Sequence, residues 1–292
     1  MFTATLIAAG RLTPSIVAAA NDALAAAGCV PTTLAWIDEG DAADLNFELA
    51  PADARAALEG AFEGVDVVIQ PRDGRRKMLL VADMDSTMIT VECIDELADY
   101  GGLKPQIAAI TESAMRGELD FEAALDARVA LLKGLDAGVI DDCLRDRVTL
   151  MPGACTLVRT MRGWGATAVL VSGGFTRFAE PVAAEIGFDR AIANVLKFDG
   201  GALSGTVAKP IVGAATKKAT LLDYRADLGL ADGATLAVGD GANDLAMIEI
   251  AGLGVAYRAK PVVAAAAGAR IEHGDLTALL WAQGVPKGEW VE

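Results

Sequence analysis

Hydrophobic positions in this chain fall into short apolar runs that stop abruptly at polar residues, the pattern of buried strands and the turns that follow them. Residues 2–9 (FTATLIAA), 33–37, 44–49 and 65–69 read as strands. An Ala-rich stretch opened by Thr13-Pro14 and running to about Gly28 reads as a helix, with proline where a helix start favours it, and Pro51 to Gly60 supplies a second helix. The order βαββαβ predicts a small ferredoxin-like α+β unit over residues 1–74. No catalytic cluster falls in this unit, so packing or dimerisation is its expected role. The basic stretch Pro71 to Lys77 reads as an exposed linker.

From Lys77 the pattern changes to strands alternating with helices. The run from Lys77 to Ala82 ends at Asp83, Asp85, Ser86 and Thr87, and a long helical stretch from about Glu92 to Leu150 follows. A helix at 154–163 leads to a strand at 166–171, which ends in Ser172-Gly173-Gly174. Residues 193–198 and 202–207 flank Asp199-Gly200-Gly201 as a hairpin, and the next helix carries Lys217 and Lys218. The strand at 235–238 then ends in Asp240, Asn243 and Asp244, and a strand at 253–257, another at 270–272 and a helix at 276–281 complete the series. This predicts a Rossmann-like α/β domain over 75–292, with a helical cap inserted at about 92–150 after the first strand. Ligands of such sheets bind at the carboxyl ends of the strands, and a helical insertion there is a natural lid that excludes water.

Composition narrows the function classes. With 53% hydrophobic residues in 292, the chain can bury a sizeable core, yet no run approaches the ~20 apolar residues of a membrane span. No basic residues precede the first apolar run, so a soluble cytoplasmic protein with no membrane partner is expected. The net charge of −15 argues against nucleic acid. Cys29, Cys93, Cys143 and Cys155 have no metal-site spacing and read as inert thiols in a reducing compartment, and the single histidine, His273, cannot build a zinc site.

Collected at one sheet edge, the strand ends give Asp83, Asp85, Asp240 and Asp244, with Asn243, Ser172 and a lysine. Carboxylates so clustered repel one another by several kcal/mol unless a cation sits among them. The all-oxygen set favours Mg2+ and disfavours zinc. A phosphate fits what remains: Ser172 and backbone N–H groups for its oxygens, lysine and Mg2+ for its charge.

The segments DMDST, VSGGFT, the lysine of TKKATL, and GDGANDLAM, in that order, resemble the four motifs of the haloacid dehalogenase superfamily. More narrowly, VECIDELA and ITESAMRGELDFEAALDARVALLKGL resemble the helical cap of the phosphoserine phosphatases, so the likeness runs from Lys77 to the last residues. The N-terminal unit is loosely similar to the ACT-type amino-acid-binding domain of longer members. The resemblance implies Asp83 as nucleophile, forming an aspartyl-phosphate, and Asp85 as acid/base with its main-chain carbonyl on the metal. It implies Asp240 as a direct metal ligand and Asp244 in support, Ser172 and Gly173 as phosphate binders, Asn243 as a polar contact, and Lys217 rather than Lys218 as the phosphate-site lysine. In the cap it implies Glu92 for the substrate ammonium, Arg128 for its carboxylate, and Met115 and Phe121 as apolar closure. The expected substrate is the small molecule O-phosphoserine, and the N-terminal unit offers a route to a homodimer. The cap pair also makes physical sense alone, because a zwitterion needs an anion for its ammonium and a guanidinium for its carboxylate.

Overall fold

Two large sheets and one two-stranded hairpin organise the described residues. The computed structural model describes residues 1–115 and 118–292. The first sheet is antiparallel, ordered β2-β3-β1-β4. Its elements in chain order are β1 (Phe2–Ile7), α1 (Pro14–Ala26), β2 (Pro31–Asp38), β3 (Ala42–Phe47), α2 (Pro51–Leu58) and β4 (Asp66–Pro71). Thr13 caps α1 by accepting from Ile16 N–H at 3.3 Å. Ala4, Leu6, Val17, Leu24, Leu45 and Leu58 fill the core between this sheet and its two helices.

The opposite face of this sheet is covered by the end of the same chain. Trp281 Nε1 donates to Asp38 at 2.7 Å, and Gln70 Nε2 donates to the Ala282 carbonyl at 2.7 Å. Buried Asp66 accepts from the backbone N–H groups of Glu272 at 2.8 Å and Gly274 at 2.7 Å, with His273 between them. The stretch Pro71 to Lys77 is mostly exposed, as its charge suggests, with Arg75 and Lys77 as the two exceptions. Arg75 places both guanidinium branches on Asp44, at 2.6 and 3.0 Å, and a further bond on the Ala282 carbonyl at 3.1 Å. The Lys77 side chain is buried and donates to the carbonyls of Gly74 and Gly233, at 3.0 and 2.9 Å. Charge here satisfies buried acceptors at a junction instead of seeking water.

The second sheet has six parallel strands, ordered β12-β11-β10-β5-β6-β7. After β5 (Leu79–Ala82) come the cap helices α3 (Cys93–Tyr100), α4 (Lys104–Met115), α5 (Phe121–Leu131) and α6 (Gly138–Asp146). A bridge between Ile89 and Leu150 forms the neck of this insertion. The chain continues through α7 (Ala154–Gly163), β6 (Thr167–Phe175), α8 (Thr176–Ile186), β7 (Arg190–Asn194), β8 (Leu196–Asp199), β9 (Ala202–Val207) and α9 (Ala214–Asp227). It ends with β10 (Thr235–Gly239), α10 (Leu245–Ile248), β11 (Leu253–Tyr257), α11 (Pro261–Ala266), β12 (Ala269–Ile271) and α12 (Ala278–Ala282). Residues 193–198, expected as one strand, are two: β7 joins the central sheet, and β8 pairs with β9 outside it. The chain leaves the sheet at half-exposed Val195, which the mixed run Ala-Asn-Val-Leu-Lys-Phe does not reveal. Because β5 lies between β10 and β6, the segments after Ala82, Gly239 and Val171 meet at one edge. Among the described residues no helix is long and apolar enough to cross a membrane.

Candidate active site

The carboxylates at this edge follow strands whose central residues are buried and apolar, and the lysine comes from a helix. The β5 residues Leu79 to Ala82 are fully buried, and the first group beyond them is Asp83, 5% exposed. Lys217, one turn into α9, points its ammonium at the same spot from a fully buried position, 2.6 Å from Asp83 Oδ1 and 2.6 Å from Asp244 Oδ1. Lys218 is exposed. The Met84 N–H also donates to Asp83 Oδ1, at 2.8 Å. Both bonds fall on Oδ1, which leaves Oδ2 as the oxygen available to a reacting atom.

Asp244 is engaged on both oxygens. Its Oδ1 meets Lys217, and its Oδ2 accepts from the N–H groups of Asp240 at 3.2 Å and Gly241 at 3.0 Å. It thus folds the loop that presents Asp240. Thr87 donates to Asp240 Oδ1 at 3.0 Å, a bond between the ends of β5 and β10. Asn243 lies in the same turn, its amide oxygen where any side chain on Gly241 would have to be.

Asp83, Asp240 and Asp244 place carboxylate oxygens within 4.8 Å of one another. A donor set of three carboxylates with no sulfur or imidazole fits a hard divalent cation such as Mg2+. The carboxylate of Asp85 is not in that group, because its Oδ1 turns toward the cap to accept from Cys93 N–H at 3.3 Å.

The electrostatics follow from burial. Burial pushes the Asp83 carboxyl well above the ordinary range and Asp244 adds to it, while Lys217 pulls it back. Asp85 is pushed up to about 7, by burial first and the charge of Glu92 second. Asp240 is pushed up to about 6 by burial and Asp244. Burial works against the charge of Lys217, but Asp83 and Asp244 outweigh it and hold the lysine protonated.

Across from these groups, β6 ends in the Ser172 to Gly174 turn. Ser172 is fully buried and its Oγ accepts from Gly174 N–H at 2.8 Å. A Cβ on Gly174 would stand 2.9 Å from Asp85 Oδ2, so glycine is what lets the turn and Asp85 approach. The cap supplies the rest. Ser86, in the left-handed region at φ 56°, turns the chain after Asp85 and donates to Glu92 Oε1 at 2.7 Å. Glu92 is exposed at the start of α3. Arg128 is half-buried on α5, its Nε on the Ala124 carbonyl at 3.2 Å. Burial lowers its pKa against the opposing pull of Asp95, Glu92 and Asp85, which places it in the field of the expected pair. The Phe121 ring, at the start of α5, lies over Gly173 and Gly213: a Cβ at either would stand 2.9 or 3.1 Å from it. Met115 is the last residue of α4, and its side chain lies outside the described residues.

Sequence reasoning left out Cys93 and Asn194, and it placed Thr87 at the strand end without its bond to Asp240. Cys93 carries no signal, since its contribution to Asp85 is a backbone N–H. Asn194 lies at the end of a strand whose limits the apolar pattern misplaces.

Residues 80–249 match the family model described as haloacid dehalogenase-like hydrolase. The chain is 46% identical over 231 residues to phosphoserine phosphatase SerB2 of Mycobacterium tuberculosis, covering 78% of this chain and 56% of that one. It is 43% identical over 244 residues to the phosphoserine phosphatase of Streptomyces coelicolor, covering 83% and 59%. The chain thus spans less than two thirds of the length of these two relatives. The crystal structure of a HAD family hydrolase from Salmonella enterica serovar Typhi superposes with a TM-score of 0.83 at 32% identity, over 97% of this chain and 98% of that one.

Proposed function

This chain belongs to the haloacid dehalogenase-like hydrolases, beside their phosphoserine phosphatases, and on that premise we propose that it hydrolyses O-phospho-L-serine to L-serine and phosphate. The observation that carries the proposal is the cluster of Asp83, Asp240 and Asp244 with buried Lys217 paired to two of them, beneath a cap holding Glu92 and Arg128.

In this reading Asp83 Oδ2 attacks phosphorus while the ester P–O bond breaks, giving an aspartyl-phosphate. The departing serine oxygen takes a proton from Asp85, whose carboxyl, raised to about 7, is poised both to give and to take one near neutral pH. Water then attacks phosphorus and gives its proton to Asp85 as the bond to Asp83 breaks. Ser172 and Gly173 hold phosphoryl oxygens, and Lys217 balances the charge on Asp83. Glu92 and Arg128 bind the ammonium and carboxylate, with Met115, Phe121 and Asn243 completing the substrate contacts. Mg2+, held by Asp83 and Asp240, the Asp85 carbonyl and, behind them, Asp244, would neutralise phosphoryl charge.

The same reading makes the reaction the last step of serine biosynthesis in the cytoplasm. It divides the chain into an N-terminal domain at 1–74, a site for homodimer formation, and a phosphatase domain at 75–292 capped by 92–150. Phosphate release from a panel of phosphorylated metabolites, with and without Mg2+, tests it. Preference for phosphoserine, lost without Mg2+ and in Asp83→Asn, is the expected result. Metal-dependent turnover of a different phosphate would overturn the substrate and keep the chemistry.

A further inference from the structure

The ladder between β6 and β7 is interrupted at the site. Val171 pairs with Ile192 and the next pair is Phe175 with Asn194, so four steps on one strand match two on the other. Ser172, Gly173 and Gly174 bulge out of the ladder, which frees their backbone groups for a ligand but leaves them without ladder partners. Asn194 lies opposite the bulge and is 2% exposed. Its Nδ2 donates to the Gly173 carbonyl at 2.9 Å and to the Val212 carbonyl at 3.1 Å, and its Oδ1 accepts from Val212 N–H at 2.7 Å. The Val212 N–H can meet only an acceptor, which fixes the orientation of the amide.

The consequence runs through one peptide plane. The carbonyl of Gly173 and the N–H of Gly174 belong to the same planar unit, so holding the oxygen on one side fixes the hydrogen on the other. That N–H donates to Ser172 Oγ. Ser172 spends one lone pair on that bond, which fixes the oxygen's orientation and leaves its own O–H to donate. Asn194 also ties Gly173 to Val212, next to Gly213, and these two glycines are the walls against which Phe121 of the cap rests.

We propose that Asn194 is a positioning residue for the phosphate end of the substrate, holding the Gly173–Gly174 peptide so that Ser172 presents its hydroxyl to a phosphoryl oxygen. The proposal rests on the phosphatase reading but concerns a buried residue whose amide is bonded to backbone groups and acts through Ser172. Replacing Asn194 by aspartate keeps the shape and the bond from Val212 N–H and removes both donors, so the Gly173 peptide loses its tether.

The test measures kcat/KM for phosphoserine and the affinity for inorganic phosphate by calorimetry, in wild type, Asn194→Asp, Asn194→Ser, Ser172→Ala and the double variant Ser172→Ala/Asn194→Asp. Misplacing a binding group costs up to about a hundredfold in rate. Asn194→Asp is expected to lose roughly ten- to a hundredfold in kcat/KM and a similar factor in phosphate affinity. In the Ser172→Ala background the further loss should stay below about twofold, since the two residues act as one unit. A merely structural role would lower the melting temperature and leave the two losses multiplicative. Wild-type values in Asn194→Asp, or multiplicative losses, overturn the proposal. If Asn194→Asp does not fold, Asn194→Ser, which can reach only one carbonyl, gives the same comparison, and failure of both to fold makes Asn194 structural and overturns it too. Absence of turnover in wild type would fall on the functional reading, and the phosphate-affinity comparison would still decide the role of Asn194.

Discussion

Thr87 donates its hydroxyl to Asp240 Oδ1 across 3.0 Å, joining residues 153 apart in the chain. The bond uses one lone pair of a carboxylate that stands among the expected metal ligands and fixes where the rest point. Groups that orient a ligand from behind typically contribute ten- to a hundredfold to metal affinity. Thr87→Val keeps the volume and removes the donor. We expect the Mg2+ concentration for half-maximal activity to rise by about tenfold or more, with kcat largely recovered at saturation. An unchanged Mg2+ titration would show that the bond does not orient Asp240.

The crowding of carboxylates makes the site a liability to the metal-free fold. Asp240, whose ordinary pKa is 3.8, is pushed up to about 6 by burial first and Asp244 second. The folded state then holds a proton that the unfolded state has released, so stability falls as pH rises from about 4 to about 6 and stays reduced above that. Asp240→Asn removes this penalty. In EDTA at pH 7.5 the variant should melt higher than wild type, by about 2 kcal/mol of stability once partial exposure is discounted. Below about pH 4 the difference should vanish, and Mg2+ should raise the melting temperature of wild type far more than that of the variant. A variant that melts lower than wild type in EDTA at pH 7.5 would contradict the assignment.

Lys217 is the opposite case, a buried cation whose charge the site requires. Lys217→Met leaves Asp83 and Asp244 facing each other without their shared partner, and breaking such a buried pair costs about 3–5 kcal/mol. Denaturant unfolding at pH 7.5 should show that loss together with abolished turnover. Lowering the pH should narrow the stability gap, because protonating the two carboxylates removes the repulsion. The exposed neighbour provides the control: Lys218→Met should change neither quantity by more than about 0.5 kcal/mol.

The joint between the two sheets is separable from the chemistry. Asp66 accepts three backbone N–H groups from residues 272–274, and its removal leaves buried donors unpaired at about 1–3 kcal/mol. Asp66→Ala is expected to lower stability by that amount, read by denaturant unfolding, while kcat at 25 °C stays within about twofold of wild type. A large loss of kcat in folded protein would mean that the N-terminal sheet communicates with the site.

The chemistry was more legible in the sequence than its surroundings were. Apolar strands must end where polar groups begin, so Asp83, Ser172 and Asp240 could be placed on one edge from hydrophobicity alone. Lys217 over Lys218 came from the motif, and in the structure the first is buried against Asp83 and the second exposed. Arg75 and Lys77 defeated the reading because charge pattern cannot distinguish a solvated linker from a junction of buried acceptors. Asn194 escaped because its role depends on a ladder interruption, which only the pairing of β6 with β7 reveals.

Glu92 is exposed and already accepts from Ser86, whereas Arg128 is half-buried and near Asp95, Glu92 and Asp85. A planar guanidinium reads a carboxylate through two parallel bonds, and a lysine in its place keeps the charge but not the fork. Arg128→Lys should therefore raise KM for phosphoserine by about tenfold or more while leaving turnover of p-nitrophenyl phosphate, which has no carboxylate, within about twofold. Glu92→Gln should do the same through the ammonium, with the added effect that phosphorylated hydroxy acids lacking that ammonium gain relative to phosphoserine. Parallel losses on both substrates in either variant would locate these residues in the phosphoryl site rather than in the recognition of the amino acid.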